Sequence, residues 1–383
     1  MKKKVYAFLI AALVITCITP GINLAERIQQ RNFKNLGWKK LSTLYTIDWV
    51  MPYLGRATFG FGISINPTKA FLGKDGWIYL GDSDYTGNPQ IAKRQGANPE
   101  RVYNMARVII WMNTWKQWLS ENGVDEFRFM IGPDKESIYP EHLPDWMQQA
   151  PVQVSDLIPH VLPSNLYIDL YAPLRREKAE LAKRNPPLTV YYATDTHWNF
   201  MGAWTAMSEL GKSLQASRPD LKWFSPDMGD IVEVKQKGAG DMTQFLHIND
   251  RMHEQEIVLR FMKQELPHSD YFDYATNEQL PPNHINITDF PRALTLIKTP
   301  DAMNKKKLLW LHDSFGIWMY PLMRSTFSEI LHIHPQFIDD YKLEELVKTY
   351  KPDYVIVTNV ERLVLTKEFY GVPPAYEPAD SKN

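Results

Sequence analysis

Apolar and polar positions change rhythm repeatedly along this chain, and each change predicts an element. In "KAFLGKDGWIYLGDSD" apolar residues alternate around Asp75-Gly76, which predicts a hairpin whose glycine supplies the positive φ. Residues Pro99–Glu121 carry apolar side chains at helical spacing, with Asn98 as cap and Gly123 as stop. "EFRFMIGPDK" then reads as a buried strand entering a Pro-Asp turn. "NLYIDL" predicts a strand and "RREKAELAKR" a helix. "LTVYYATD" predicts a strand, followed by the helix "NFMGAWTAMSELGKSLQ" with Asn199 near its start. "KKKLLWLHD" and "EILHIH" predict strands, "KLEELVKTY" a helix and "DYVIVTN" a strand. Strands alternating with helices predict an α/β fold with a mostly parallel sheet covered on both faces. Residues 217–300 fit this rhythm worst and read as an insertion of irregular β structure. There is no internal repeat and no low-complexity tract.

The first 25 residues follow another rule. Three lysines precede an uncharged, mostly apolar run from Val5 to about Ala25, long enough to span a bilayer at about 1.5 Å per residue. The lysines stay on the cytoplasmic side and place everything after Glu26 outside. Asn23 stands where a cleavage site wants a small residue, which favours a retained signal anchor over a cleaved signal peptide. The expected division is an anchor over 1–25, a membrane-proximal segment over 26–66 and one folded domain over 67–383. The domain is expected to be periplasmic, held by a single pass in the cell inner membrane.

Composition narrows the function classes. With 383 residues the chain can bury a large core, and its net charge of −1 argues against a general nucleic-acid binder. The 12 tryptophans are compatible with sugar-facing grooves, although most such rings form core. Cys17 is the single cysteine, so a cysteine nucleophile and an all-cysteine zinc site in the folded domain are excluded.

An α/β sheet presents its chemistry beyond the carboxyl ends of its strands. Three predicted strands end usefully: one at Asp195 and His197, one at Asp313 and Ser314, one at Asn359 with Glu361 and Arg362 behind it. A serine hydroxyl needs a base to accept its proton, and that base needs a carboxylate on its other nitrogen. Ser314, His197 and Asp195 supply those three types. Backbone N–H groups at the helix start after Ser314 are suited to a developing oxyanion. The structural alternative is that Asp195 and Asp313 merely cap helices. His332 and His334 share a strand face, and with His312 they raise a metal site, but no carboxylate completes the set. Glu361 and Arg362 also read as an ion pair of purely structural value.

The stretches "GKDGWIYL", "PDKESIYPEHLP", "TDTHWNFMGAW", "GAGDMTQFL" and "LLWLHDSFG" occur in this order. Together they resemble the AlgJ/AlgX-type polysaccharide O-acetyltransferases, a branch of the SGNH hydrolase-like proteins, over roughly residues 68–365. The resemblance implies a three-layer α/β/α fold, with Ser314 as nucleophile, His197 as base and Asp195 as its orienting carboxylate. It places Tyr320 near the acyl group or glycan, and Asn359 and Arg362 near the site. It implies no cofactor and no metal, a polysaccharide acceptor such as an alginate-like exopolysaccharide, and a membrane-bound O-acyltransferase as acetyl donor. The family's usual Gly-Asp-Ser-Phe reads His312-Asp313-Ser314-Phe315 here, which puts a side chain where the family has none. A carbohydrate esterase with the same triad and an idle glycan-binding scaffold are the alternatives.

Overall fold

A computed structural model describes residues 2–29, 44–81, 96–97, 99–147, 151–364 and 373. Helix α1 spans Lys2–Gln29 and α2 spans Met51–Gly60. Asn23 donates its side-chain N–H to the carbonyls of Leu44 (2.6 Å) and Thr46 (2.9 Å), which ties α1 to the following segment. Among the described residues no helix is long and apolar enough to cross a membrane. Many side chains in the first half of α1, on which the anchor expectation turns, lie outside the described residues.

The predicted hairpin forms from β1 (Ala70–Leu72) and β2 (Ile78–Leu80), and its turn places Asp75 at φ 53° and Gly76 at φ 80°. The glycine meets the left-handed backbone without strain. Helix α3 (Pro99–Glu121) follows as expected, although its proposed cap, Asn98, lies outside the described residues.

The central sheet has eight strands. In chain order they are β3 (Glu126–Gly132), β4 (Tyr167–Ile168), β7 (Asp270–Asp273), β8 (Gln279–Leu280), β9 (Thr295–Lys298), β10 (Asn304–His312), β11 (Phe327–Ile333) and β12 (Tyr354–Val360). Their spatial order is β4-β3-β12-β10-β11-β9-β7-β8. The first five in that order run parallel, but β9, β7 and β8 each run antiparallel to their neighbours. The sheet is therefore mixed, not mostly parallel. The reason is local: β7 and β8 are joined by residues 274–278 alone, and so short a link permits only an antiparallel pair. A separate two-stranded ribbon pairs β5 (Ile231–Gly238) with β6 (His253–Leu259).

Helices α4 (Tyr171–Leu181), α5 (Phe200–Ser217), α6 (Gly316–Thr326) and α7 (Asp340–Tyr350) complete the frame, with α5 touching both α4 and α6. Asn199 caps α5, accepting from the N–H groups of Met201 (3.0 Å) and Gly202 (3.2 Å), an interaction worth about 1 kcal/mol. Strands β3, β10 and β12 are buried along most of their length, which explains their near-continuous apolar runs.

One expected strand is absent. "LTVYYATD" joins no sheet; the chain doubles back on itself, with an isolated bridge between Tyr191 and Trp198 and an Asn199 N–H to Val190 carbonyl bond of 3.0 Å. Val190 and Tyr191 are buried in the hydrophobic core without joining a sheet, so the sequence looks like a strand without pairing as one.

Candidate active site

Strand β10 ends at His312, and the chain turns through Asp313, Ser314 and Phe315 into α6. The buried Asp313 carboxylate fixes this turn, accepting the N–H of Phe315 at 2.9 Å and that of Val360, at the end of β12, at 2.6 Å. Burial raises the pKa of Asp313, and these two N–H bonds oppose the rise. The N–H of Gly316 goes to the Asp313 carbonyl and that of Ile317 to the Ser314 carbonyl. Three of the amides expected at the helix start are thus engaged within the turn, and the Ser314 N–H is left without an acceptor among the described residues.

The loop from Tyr191 to Trp198 brings the other two groups to Ser314. His197 Nε2 lies 2.8 Å from Ser314 Oγ, and His197 Nδ1 lies 2.6 Å from Asp195 Oδ1. Asp195 also accepts the His197 N–H (3.1 Å) and the Asp241 N–H (3.2 Å). Burial alone would raise the Asp195 pKa. The hydrogen bond and charge of His197, with the two N–H groups, outweigh it and hold the carboxyl at about 2. An ionised Asp195 at Nδ1 selects the tautomer whose Nε2 is free to accept the serine proton. The imidazole is walled in by Trp318, stacked at 4.8 Å between ring centroids, and by Phe315 at 5.4 Å.

Several residues outside the expected triad support this geometry. Asp241 accepts the Thr196 N–H at 2.9 Å and the Thr196 hydroxyl at 2.7 Å, pinning the residue between Asp195 and His197. Gly240 lets that segment approach: a β-carbon there would lie 2.5 Å from Asp195 Cβ and 2.6 Å from its backbone nitrogen. Lys135, just past β3, donates to the carbonyls of Tyr192 (3.3 Å), Ala193 (2.9 Å) and Asp195 (2.8 Å). Glu254, on β6, accepts the Thr194 N–H and hydroxyl, both at 2.5 Å, and the Ala193 N–H at 3.2 Å. Lys135, Gly240 and Asp241 fall within "PDKESIYPEHLP" and "GAGDMTQFL", so their stretches stood out although their roles did not. Glu254 carries no sequence signal; it is one of three glutamates in and beside a polar ribbon.

The remaining expected site residues make no direct hydrogen bond to Ser314 or to the His197 ring among the described residues. Tyr320 stacks on His332 at 6.3 Å between ring centroids. Asn359 is buried at the end of β12, and its Oδ1 has no partner among the described residues. Arg362 pairs with the Asp134 carboxylate and lies over the Phe315 ring at 6.0 Å, so it buttresses the residue after Ser314. Glu361 does not pair with Arg362; it accepts the Asp134 N–H (3.0 Å) and the Ser137 hydroxyl (2.8 Å). Burial and the Asp134 charge push the Glu361 carboxyl up to about 7. His312 points into the core, with Nδ1 2.8 Å from the Asp313 carbonyl and Nε2 2.9 Å from His332 Nδ1. It also occupies the space beside Gly316, where a β-carbon would lie 2.3 Å from Nδ1. His334 instead accepts the Gln336 N–H.

Among the described residues, one group of His and carboxylate ligand atoms converges: Asp195, His197 and Asp241, within 4.8 Å of one another. Those atoms are already bonded to the imidazole, to Thr196 and to backbone N–H groups.

The family model of the SGNH hydrolase-like domain of acetyltransferase AlgX matches residues 70–273. This chain belongs to that family. The matched stretch contains Asp195, His197, Gly240 and Asp241 but ends before β10, so Ser314 joins the set through geometry. A probable alginate O-acetylase AlgJ of Pseudomonas fluorescens is 29% identical over 186 residues, covering 46% of this chain and 41% of that protein. The match thus spans less than half of that relative. Among solved structures, Bacillus cereus PatB1 with a sulfonyl adduct aligns with a TM-score of 0.55 at 14% identity, over 78% of this chain and 98% of that one. A DHHW family protein from Eubacterium siraeum aligns with a TM-score of 0.50 at 16% identity, over 79% and 97%. At such identities these two speak for the fold of this family member and for nothing finer.

Proposed function

We propose that this family member is an O-acetyltransferase that carries an acetyl group on Ser314 and passes it to a hydroxyl of a polysaccharide. The observation that carries the reading is the continuous chain of bonds from Asp195 through His197 to Ser314, at 2.6 and 2.8 Å. His197 Nε2 takes the Ser314 proton as Oγ attacks the carbonyl carbon of an acetyl ester or thioester. The tetrahedral oxyanion faces the Ser314 N–H, the one amide of the turn not already spent. The imidazolium returns its proton to the leaving alkoxide or thiolate, which leaves acetyl-Ser314. A sugar hydroxyl then gives its proton to His197 and attacks the acetyl carbon. As the second tetrahedral intermediate collapses, the imidazolium gives that proton to the departing Ser314 Oγ, which restores the serine and releases the O-acetylated sugar. Asp195, ionised at neutral pH, stabilises the imidazolium in both halves.

The context of the reaction belongs to the same proposal. The basic, then apolar, N-terminal segment acts as a single-pass anchor in the inner membrane, with the folded domain periplasmic. Acetyl-CoA is confined to the cytoplasm, so the acetyl group reaches Ser314 through a membrane-bound O-acyltransferase. The curated relative's name supports an alginate-like acceptor.

The test uses the full chain with an activated acetyl ester, and Ser314→Ala beside it. Acetate release, intact mass and acetyl transfer to oligosaccharides are followed together. A serine-dependent acetyl adduct that passes to sugar is expected. Acetate release indifferent to sugar would replace the transferase with an esterase. A folded protein with neither adduct nor turnover across several donors would leave a glycan-binding role.

A further inference from the structure

The loop that carries Asp195 and His197 is held in an unusual way. It has no sheet ladder to fix its backbone, yet it must place an imidazole within hydrogen-bond reach of a serine on another element. Two buried charges add to the holding by Asp241 on Thr196 and by the Ile78 and Met242 N–H groups on the Ala193 and Thr194 carbonyls. Lys135 presents an ammonium with three N–H donors and no acceptor; its three hydrogen bonds all go to carbonyls of this loop, those of Tyr192, Ala193 and Asp195, while the Trp77 and Tyr79 rings lie within 5.5 Å of it. Glu254 takes the loop's N–H groups at Ala193 and Thr194 together with the Thr194 hydroxyl. Both charged residues are almost wholly buried, at 3% and 8% exposure. Among the described residues, Lys135 makes no ion pair in direct contact; its charge is aimed at peptide oxygens. Burial brings its pKa down to about 8, against the opposing charges of Glu254, Asp195, Asp241 and Glu136. A buried, solvation-starved cation is a costly way to satisfy three carbonyls. It is also a short and directional one, since charge-assisted bonds are stiffer than neutral ones.

We propose that Lys135, together with Glu254, is a positioning residue for the general base: the two charges clamp residues 192–195 from opposite sides of the backbone and so set the His197 imidazole against Ser314. Lys135 touches no reacting atom. The proposal rests on the reading of Asp195, His197 and Ser314 as the reacting set. It adds that their alignment is supported from the turn after β3 and from β6 and not by the loop alone. Release of the clamp lets the loop drift, and a displacement of about 1 Å in such a site costs about 100-fold in rate.

The test compares full-length wild type with Lys135→Met, Lys135→Gln and Glu254→Gln. Three quantities are read: the low-field proton resonance of the His197–Asp195 bond, the rate at which a sulfonyl fluoride labels Ser314, and the melting temperature. In Lys135→Met the low-field resonance should disappear and labelling should slow by about 100-fold, while the melt stays cooperative. Lys135→Gln keeps part of the donor set and should recover about tenfold of that loss. A folded Lys135→Met that keeps the resonance and labels within about threefold of wild type overturns the proposal. So does a loss that follows the melting temperature across the variants and not the ring signal. If Lys135→Met does not fold, Glu254→Gln is read by the same criteria. Wild type that labels at Ser314 but moves no acetyl group would remove the acetyltransferase reading alone, since the ring resonance and labelling still judge the clamp.

Discussion

Trp198 donates its indole N–H to the carbonyl of Phe315 at 3.1 Å, and the two rings meet edge to face at 4.9 Å. The residue after His197 is thereby fastened to the residue after Ser314, across 117 positions of sequence. Trp198 is fully buried, so its role is to hold the two halves of the site and not to offer a sugar platform. Trp198→Phe removes the N–H bond and part of the ring, and should cost about 1–3 kcal/mol; Trp198→Ala should cost about 3–5 kcal/mol. Denaturant midpoints measure both losses. Serine labelling at a temperature where the variants remain folded should fall further than the loss of stability explains, because the serine and the base separate.

Asp195 makes a prediction in acid. Its folded pKa is held down to about 2 from 3.8, so its contribution to stability is present above pH 4 and is lost as pH falls towards 2. The contribution is about 2 kcal/mol. Wild type and Asp195→Asn should therefore differ in melting temperature at pH 5 and converge near pH 2. A gap that stays constant over this range would contradict the ionised, hydrogen-bonded carboxylate. At neutral pH the same substitution should cut acyl turnover by up to about 10⁴-fold through loss of the correct tautomer.

Lys135 makes the opposite prediction in base. Its folded pKa is lowered to about 8 from 10.5, so between those values the unfolded chain holds more proton than the folded one. Raising pH through this window relieves the buried charge and favours the fold by up to about 3 kcal/mol. Activity should move the other way, because a neutral amine offers two N–H donors to three carbonyls. The expected result is a basic limb in the serine-labelling rate near pH 8 without a matching loss of stability from this group. Lys135→Met should flatten that limb.

Gly240 tests the packing behind the carboxylate. Gly240→Ala places a β-carbon within 2.6 Å of the Asp195 backbone, with no flexible side chain to yield. Overpacking of this kind costs about 1–3 kcal/mol. Displacement of Asp195 should also weaken the low-field His197 resonance. Thermal melts and the ring spectrum together check both effects.

Much of this protein was legible in its sequence because the signals are local. The Asp75-Gly76 hairpin, helix α3 and strands β3, β10, β11 and β12 follow from turn chemistry and apolar periodicity, which depend on neighbours a few positions apart. The candidate residues stand out because Asp195 and His197 follow one apolar run and Ser314 another. The antiparallel half of the sheet was less legible, because β7, β8 and β9 are short strands without sustained alternation. "LTVYYATD" misled for a related reason: core burial produces an apolar run whether or not a strand pairs. Amino-acid order by itself determined the family and marked a serine, a histidine and an aspartate at turns as candidates for its chemistry, since these need only be present and suitably flanked. Only the tertiary structure decided that they meet. A hydrogen bond is directional and a few ångströms long, and the groups that set it here come from Lys135, Glu254, Gly240 and Phe315, residues far from His197 in sequence that only folding brings to the same loop.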